Sequence, residues 1–240
     1  MAATLVQTAT PTSISGNGTG NLAVTINGTV SGNLIVATVV YTTVNGAGPF
    51  TPNTPAGFSV AVAPSSTWDS SFAACGANIF YQISAGGSVT CTATIPSGPT
   101  GWNGTMYVQE WSPFVAAPGD ASGVFSANLG STGTGGTPTT GALAQSNELV
   151  IAAVCLFGNT GLANAGISDP PASGYTSFAV HQATNVNFDP GYEMAYKDAS
   201  SAAAQSAAYT WTADANMYGA QAVIATFKEY GGILFGQACM

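Results

Sequence analysis

The stretch NLAVTINGTVSGNLIVATVVYT, residues 21–42, decides the fold class. Apolar residues alternate with polar or small ones over residues 22–26, which is the period of a β-strand with one buried face. Asn27-Gly28 comes next, and this dipeptide is the strongest short hairpin signal because both residues accept a positive φ. A second apolar run fills 34–41. The stretch therefore predicts two consecutive antiparallel strands.

The same signals continue along the chain. Asn-Gly also begins at Asn17, Asn45 and Asn103. The helix-forming residues Glu, Lys, Arg and Leu are scarce, whereas Val, Thr, Tyr and Phe fill the periodic segments. We therefore predict an all-β protein with antiparallel sheets.

An internal repeat indicates how the strands are organised. Five sequence blocks recur in the same order, separated by 115 residues in the first pair (149 − 34) and by 118 in the fourth (206 − 88). The paired positions are Leu34 with Leu149, Gly57 with Gly174, Tyr81 with Tyr196, Ser88 with Ser206, and Trp111 with Phe227. This pattern predicts a duplicated unit of about five short strands, over roughly 30–115 and 145–230.

A Gly/Thr/Ser-rich connector, residues 126–146, lies between the two units. One arrangement is a single antiparallel β-sandwich over 1–240, with the halves interleaved in a jelly-roll-like order. The alternative is two tandem sandwiches, 1–125 and 140–240. We favour the single sandwich, because a five-stranded unit alone exposes much sheet edge and apolar face.

Composition excludes two classes of partner. Charged residues are 5% of the chain, and two lysines against ten carboxylates give a formal net charge of −8. Binding a nucleic-acid backbone or an anionic lipid surface needs clustered Lys or Arg, which two lysines do not provide. We expect neither nucleic acid nor membrane as a partner.

The first twenty residues lack the basic and apolar regions of a secretory signal. Release by host-cell lysis, as for a component of a virus particle, would explain a surface-type composition without such a signal. We therefore expect the protein on a virion surface, extracellular after lysis.

Few residues offer catalytic chemistry. The single histidine, His181, lies in a strand-like run, and no nucleophile motif accompanies it. Glu110 and Glu193 are the strand-borne acids that a sandwich glycosidase would need. Glu193 shares a strand face with Lys197, which indicates a solvated face with an ion pair. We expect no catalytic site, metal site or cofactor.

The cysteines are too sparse for a disulfide framework. Cys91 and Cys155 lie in apolar strand-like runs and are predicted to be core residues. A bridge between Cys75 and Cys91 is an open alternative.

Aromatic residues are the candidates for binding. Trp68 and Trp102 lie in loop-like contexts and are the predicted glycan-stacking residues, whereas Trp111 and Trp211 are predicted to be core. The C-terminal sequence GGILFGQACM is apolar, so Ile233, Leu234 and Phe235 are predicted to contact another subunit.

The order of these blocks, from NLIV through a Gly-Phe pair to a strand ending in EW, and again from ELVI to ATFK, resembles a recurrent family. This family comprises low-charge, internally duplicated β-sandwich proteins, jelly-roll-like or lectin-like, of phage virions and bacterial surfaces. The resemblance implies a virion role, and we expect an oligomeric, outward-facing capsid decoration or cement protein. Its expected partners are the major capsid protein and copies of itself. The alternative is a carbohydrate-binding or adhesin module of a tail or cell surface.

Overall fold

The computed structural model describes residues 2–44, 51–63, 67–69, 73–95, 101–128, 134–158, 166–169, 171–172, 174–182, 190–212 and 217–230. All helix and strand elements assigned in these ranges are strands. The strands of the first half are β1 (Thr4–Thr8), β2 (Thr12–Gly16), β3 (Gly20–Thr29), β4 (Leu34–Val44), β5 (Ser59–Val60), β6 (Thr67–Asp69), β7 (Ala73–Ile83), β8 (Gly87–Ile95) and β9 (Gly101–Ser112). Those that follow are β10 (Phe114–Asn128), β11 (Gly135–Gly136), β12 (Glu148–Gly158), β13 (Thr176–His181), β14 (Gly191–Ala199), β15 (Tyr209–Thr210) and β16 (Met217–Glu229).

These strands form two central sheets and two ribbons. The first central sheet has the order β1-β9-β4-β7-β5, with β2 also on β9 and β6 also on β7. The second has the order β10-β16-β12-β14-β13, and the ribbons are β3-β8 and β11-β15. Every one of these pairings is antiparallel, which confirms the predicted fold class.

The pairing scheme of the first half recurs in the second. β4 lies between β7 and β9, and β12 lies between β14 and β16 in the same register, so that Leu34 faces Trp111 as Leu149 faces Phe227. Gly57 and Gly174 both take a positive φ in the turn before the edge strand, at +81° and +85°. Such recurrence is what a duplicated unit would produce; the duplication itself stays a prediction.

The strands form four layers, and a buried hydrophobic cluster lies between each pair of adjacent layers. The inner core lies between the two central sheets and takes residues from both, among them Val36, Ile79, Ile151 and Phe227. The outer face of the first sheet packs against ribbon β3-β8. The outer face of the second sheet packs against ribbon β11-β15 and its flanking segments. Both faces of β4 and of β12 are therefore buried, which explains why their sequences are continuous apolar runs.

Each central sheet is built from one continuous part of the chain. The strands of the first sheet lie within residues 4–112 and those of the second within residues 114–229, since short connections favour pairing between strands that are close in sequence. The domain boundaries 1–240, or 1–125 with 140–240, stay predictions.

The structure tests the residues that the sequence predicts to lie in the core. Cys91, Cys155, Trp111 and Trp211 are all buried, as predicted. The alternative of a Cys75–Cys91 bridge is wrong, because the two thiols are free and lie on opposite faces of the first sheet, Cys75 in the inner core and Cys91 under ribbon β3-β8.

Candidate functional site

The two tryptophans predicted to bind glycans lie in strands. Trp102 is the second residue of β9 and is 4% exposed, so its predicted loop position is wrong and its ring has no face free for a sugar. A methyl group added at Gly20 would lie 1.7 Å from Cζ2 of Trp102, which shows how closely β3 covers the indole. The backbone of Trp68 lies in β6, and its side chain is outside the described structure. The predicted oligomer contacts Ile233, Leu234 and Phe235 also lie outside the described residues.

Glu110, one of the two acids weighed for glycosidase chemistry, is a structural anchor. It is fully buried in β9, and its Oε1 accepts hydrogen bonds from the Val30 amide and from Asn33 Nδ2, both at 2.7 Å. Its Oε2 accepts a third hydrogen bond from Gln7 Nε2 at 2.6 Å. Both oxygens are thus occupied by the chain, and the carboxylate ties β1 and the β3–β4 turn to β9.

A cleft beside edge strand β13 is the best candidate for a functional site among the described residues. It is a shallow, open depression of about 510 Å³ that is lined by Asp169 and residues 175–180. We refer to it as the β13 cleft. Its lining has hydroxyl-bearing side chains at residues 175–177 and apolar side chains at residues 178–180.

Glu193 lies beneath this cleft. It projects from β14 on the outer face of the second sheet, is 0% exposed, and accepts a hydrogen bond from Ser177 Oγ at 2.5 Å. Burial raises the pKa of Glu193 from its ordinary value to about 8, and the hydroxyl of Ser177 offsets part of that rise. Its carboxyl group is therefore mostly protonated at neutral pH.

The surroundings of Glu193 correct the expected ion pair. Lys197 Nζ lies 4.5 Å from the ring centroid of Tyr175, a cation–π contact, and the Tyr175 hydroxyl donates to the Ser206 carbonyl at 3.0 Å. The prediction of a solvated strand face with a Glu193–Lys197 ion pair is therefore wrong. The strand face is covered by Tyr175 and the fully buried Tyr209.

This arrangement presents hydroxyl chemistry rather than charge. Ser177 and Thr176 place two hydroxyls in the cleft, and the Ser177 hydroxyl donates to the buried Glu193 beneath it. Asp169 is exposed at its rim and is the one acidic side chain lining it among the residues that the structure describes. Among the described residues, no group of three or more His, Cys, Asp or Glu side chains is placed to hold a metal ion. Sequence reasoning missed Ser177, whose contact with Glu193 depends on the β13–β14 register.

A second group of acids lies at the other end of the second sheet. Burial, together with the neighbouring Asp120, raises the pKa of Glu148 to about 7. Burial likewise raises the pKa of Glu229 to about 7. Lys228 Nζ lies 3.8 Å from Asp120 Oδ1 and forms an ion pair with it.

Comparison of the sequence with protein-family models and with curated proteins finds no match. In the part of the chain that the structure describes, no helix is long and apolar enough to cross a membrane.

Proposed function

We propose that this protein is a virion structural protein, an outward-facing capsid decoration subunit that contacts the major capsid protein and copies of itself. The observation that carries the proposal is the four-layer build. The chain buries both faces of β4 and β12 with its own strands, so the molecule is a thick slab stabilised throughout by apolar contacts. A subunit that works outside a cell needs such intrinsic stability.

The outer surface of ribbon β3-β8 supports an outward orientation. Its exposed side chains pair across the two strands, Thr25 with Thr90 at 2.8 Å and Asn21 with Thr94 at 2.9 Å. These side chains are uncharged and hydrogen-bond to one another, so the surface is hydrophilic but does not attract ions or nucleic acid. An acidic chain with such a face does not compete with the shell for packaged DNA.

The test is the composition of purified particles. Particles banded in a density gradient from the source lysate are analysed by quantitative mass spectrometry for this chain and for the major capsid protein. A decoration subunit is expected at hundreds of copies per particle. A few copies per particle, or none, would overturn the decoration role.

A glycan-binding module is the second candidate, and the β13 cleft is the observation that favours it. Sugars present hydroxyls and apolar ring faces, which match Ser177, Thr176 and the half-buried Phe178. The test is a glycan array with the intact protein, followed by Ser177→Ala and Trp68→Ala. Ser88→Ala is the matched control, because Ser88 bonds Asn27 Oδ1 on the distant ribbon. Binding lost with Ser177→Ala and kept with Ser88→Ala would support the module, and an array without any binding would exclude it for the glycans tested.

A further inference from the structure

Two buried thiols face each other across the inner core. Cys75 on β7 and Cys155 on β12 come from opposite central sheets and belong to the same cluster, at 1% and 0% exposure. Cys155 Sγ contacts the Tyr41 carbonyl of the opposite sheet at 3.5 Å. The thiols of Cys75 and Cys155 are close enough to each other for a side-chain hydrogen bond.

The two central sheets approach each other closely where β7 lies against β12 and β16. Cα atoms of β7 lie within 8 Å of Cα atoms of β12 and β16, whereas stacked sheets are usually about 10 Å apart. Small inner-core side chains, Ala77 and Ala153, allow this approach. A hydrogen bond of 2.7 Å from the Ala77 amide to Gln221 Oε1 joins the sheets directly. A disulfide needs Cα atoms about 4.4–6.8 Å apart, so close approach of the backbones is its first requirement.

We propose that Cys75 and Cys155 form a reversible disulfide that joins the two central sheets under oxidising conditions. The inference is independent of the virion and glycan proposals, because it rests on the packing of the sandwich alone. It is a modification site whose co-reactant is a small disulfide, such as oxidised glutathione.

The chemistry is two thiol–disulfide exchanges. One cysteine thiolate attacks a sulfur of the small disulfide, forms a mixed disulfide and releases one small thiolate. The second cysteine thiolate then attacks the protein sulfur of the mixed disulfide, forms the Cys75–Cys155 bond and releases the second small thiolate. Each protein thiol gives up its proton to solvent, and the small disulfide is reduced to two thiols by the two electrons that the protein loses.

Burial decides when this exchange takes place. It raises the pKa of Cys155 well above its ordinary value, so the buried thiol is not a nucleophile while the sheets are packed. The oxidant therefore reaches the pair during folding or when the sheets separate. Once formed, the bond is protected by the same burial and closes a loop of about 80 residues, which restricts the unfolded chain.

Cys91 is the internal control. It is also fully buried, but it lies under ribbon β3-β8 on the other face of the first sheet. If burial or position in a strand alone determined which thiols are oxidised, Cys91 would be oxidised like Cys75 and Cys155. A reaction set by the juxtaposition across the inner core leaves Cys91 reduced.

The experiment uses full-length protein, both native and with Cys239→Ser to remove the fourth thiol. Each is unfolded and refolded with oxidised and reduced glutathione, or with a reductant alone, and then unfolded and alkylated. Chymotryptic rather than tryptic peptides are mapped, because the chain has two lysines and no arginine. Circular dichroism establishes that both products are folded.

The expected oxidised product of the Cys239→Ser protein is 2 Da lighter before alkylation, contains a Cys75–Cys155 peptide, and alkylates at Cys91 alone. Its thermal midpoint should lie roughly 10 °C above that of the reduced protein, the shift that a closed loop of this length predicts for a chain of this size. Cys91→Ala should keep the bond, and Cys155→Ala should abolish it. A folded oxidised product with three free thiols, or a bond that includes Cys91, would overturn the proposal.

Discussion

Replacement of Glu193 by glutamine should remove much of the pH dependence of stability. Because burial raises the pKa of Glu193 from 4.5 to about 8, the folded protein favours the protonated side chain. The stabilising contribution is fully present below about pH 4.5 and is lost as the pH rises through 8. A shift of this size corresponds to about 4 kcal/mol of unfolding free energy between pH 5 and pH 9. Glutamine keeps the shape and remains neutral, so the variant should not lose this energy.

The assay is thermal unfolding by calorimetry or circular dichroism at pH 5, 7 and 9. For a chain of this length, about 4 kcal/mol corresponds to a fall of roughly 8–15 °C in the midpoint of the native protein between pH 5 and 9. Glu148 and Glu229 add to that fall in the same direction, and they remain in the variant. The difference between the native and Glu193→Gln curves therefore isolates Glu193.

Asp169→Asn is the matched control, since Asp169 is an exposed acid at the same cleft. It should shift the midpoint by less than about 2 °C at every pH, as expected for an exposed substitution. Native and Glu193→Gln curves that stay parallel from pH 5 to 9 would refute the reasoning, because they would mean that Glu193 is ionised in the folded protein.

Three further predictions concern the anchors and the C-terminal segment. Glu110→Ala leaves buried donors unpaired and should lower the free energy of unfolding, measured with urea, by about 3–5 kcal/mol. Gln7→Ala, which removes one of these donors, should lower it by about 1 kcal/mol, and equal losses in the two variants would contradict the anchor role. Gly20→Ala forces a methyl group against the buried indole and should destabilise by about 1–3 kcal/mol, whereas Gly141→Ala, at an open position, should be nearly neutral; similar midpoints for both would disprove the close packing. Deletion of residues 231–240 should shift an oligomer to monomer in light scattering, and an unchanged mass would exclude the segment as the subunit contact.

The fold was predictable because its signals are local. The alternation in β3 and the continuous apolar run of β4 follow from one and two buried faces respectively. The Gly57 and Gly174 turns were visible as a repeated Gly-aromatic pair. The layer order was not predictable in the same way. It depends on which sheet face each ribbon covers, and this is settled by contacts between residues far apart in sequence.

The site was less predictable for the same reason. Trp102 follows a Pro-Thr-Gly sequence typical of a loop, yet two glycines on neighbouring strands, Gly16 and Gly20, leave room for its indole and bury it. Glu193 sits in a strand face that also carries a lysine, which suggests solvent. Only the packing of Tyr175 and Tyr209 over that face makes it an interior. Sequence patterns give the direction of a side chain from its strand but not the cover that another segment provides.

The buried glutamates of this acidic chain fall into two physical classes. Glu110 accepts three hydrogen bonds from the chain, so it fixes an edge strand in place. Burial raises the pKa values of Glu148, Glu193 and Glu229 to between about 7 and 8. Near neutral pH these three carry less negative charge than the formal net charge of −8 assumes, so neighbouring copies on a particle would repel one another less. Raising the pH ionises these groups and weakens each folded subunit, and under the proposed decoration role it would also increase the repulsion between neighbouring copies. We therefore expect alkali, rather than mild acid, to destabilise the proposed assembly.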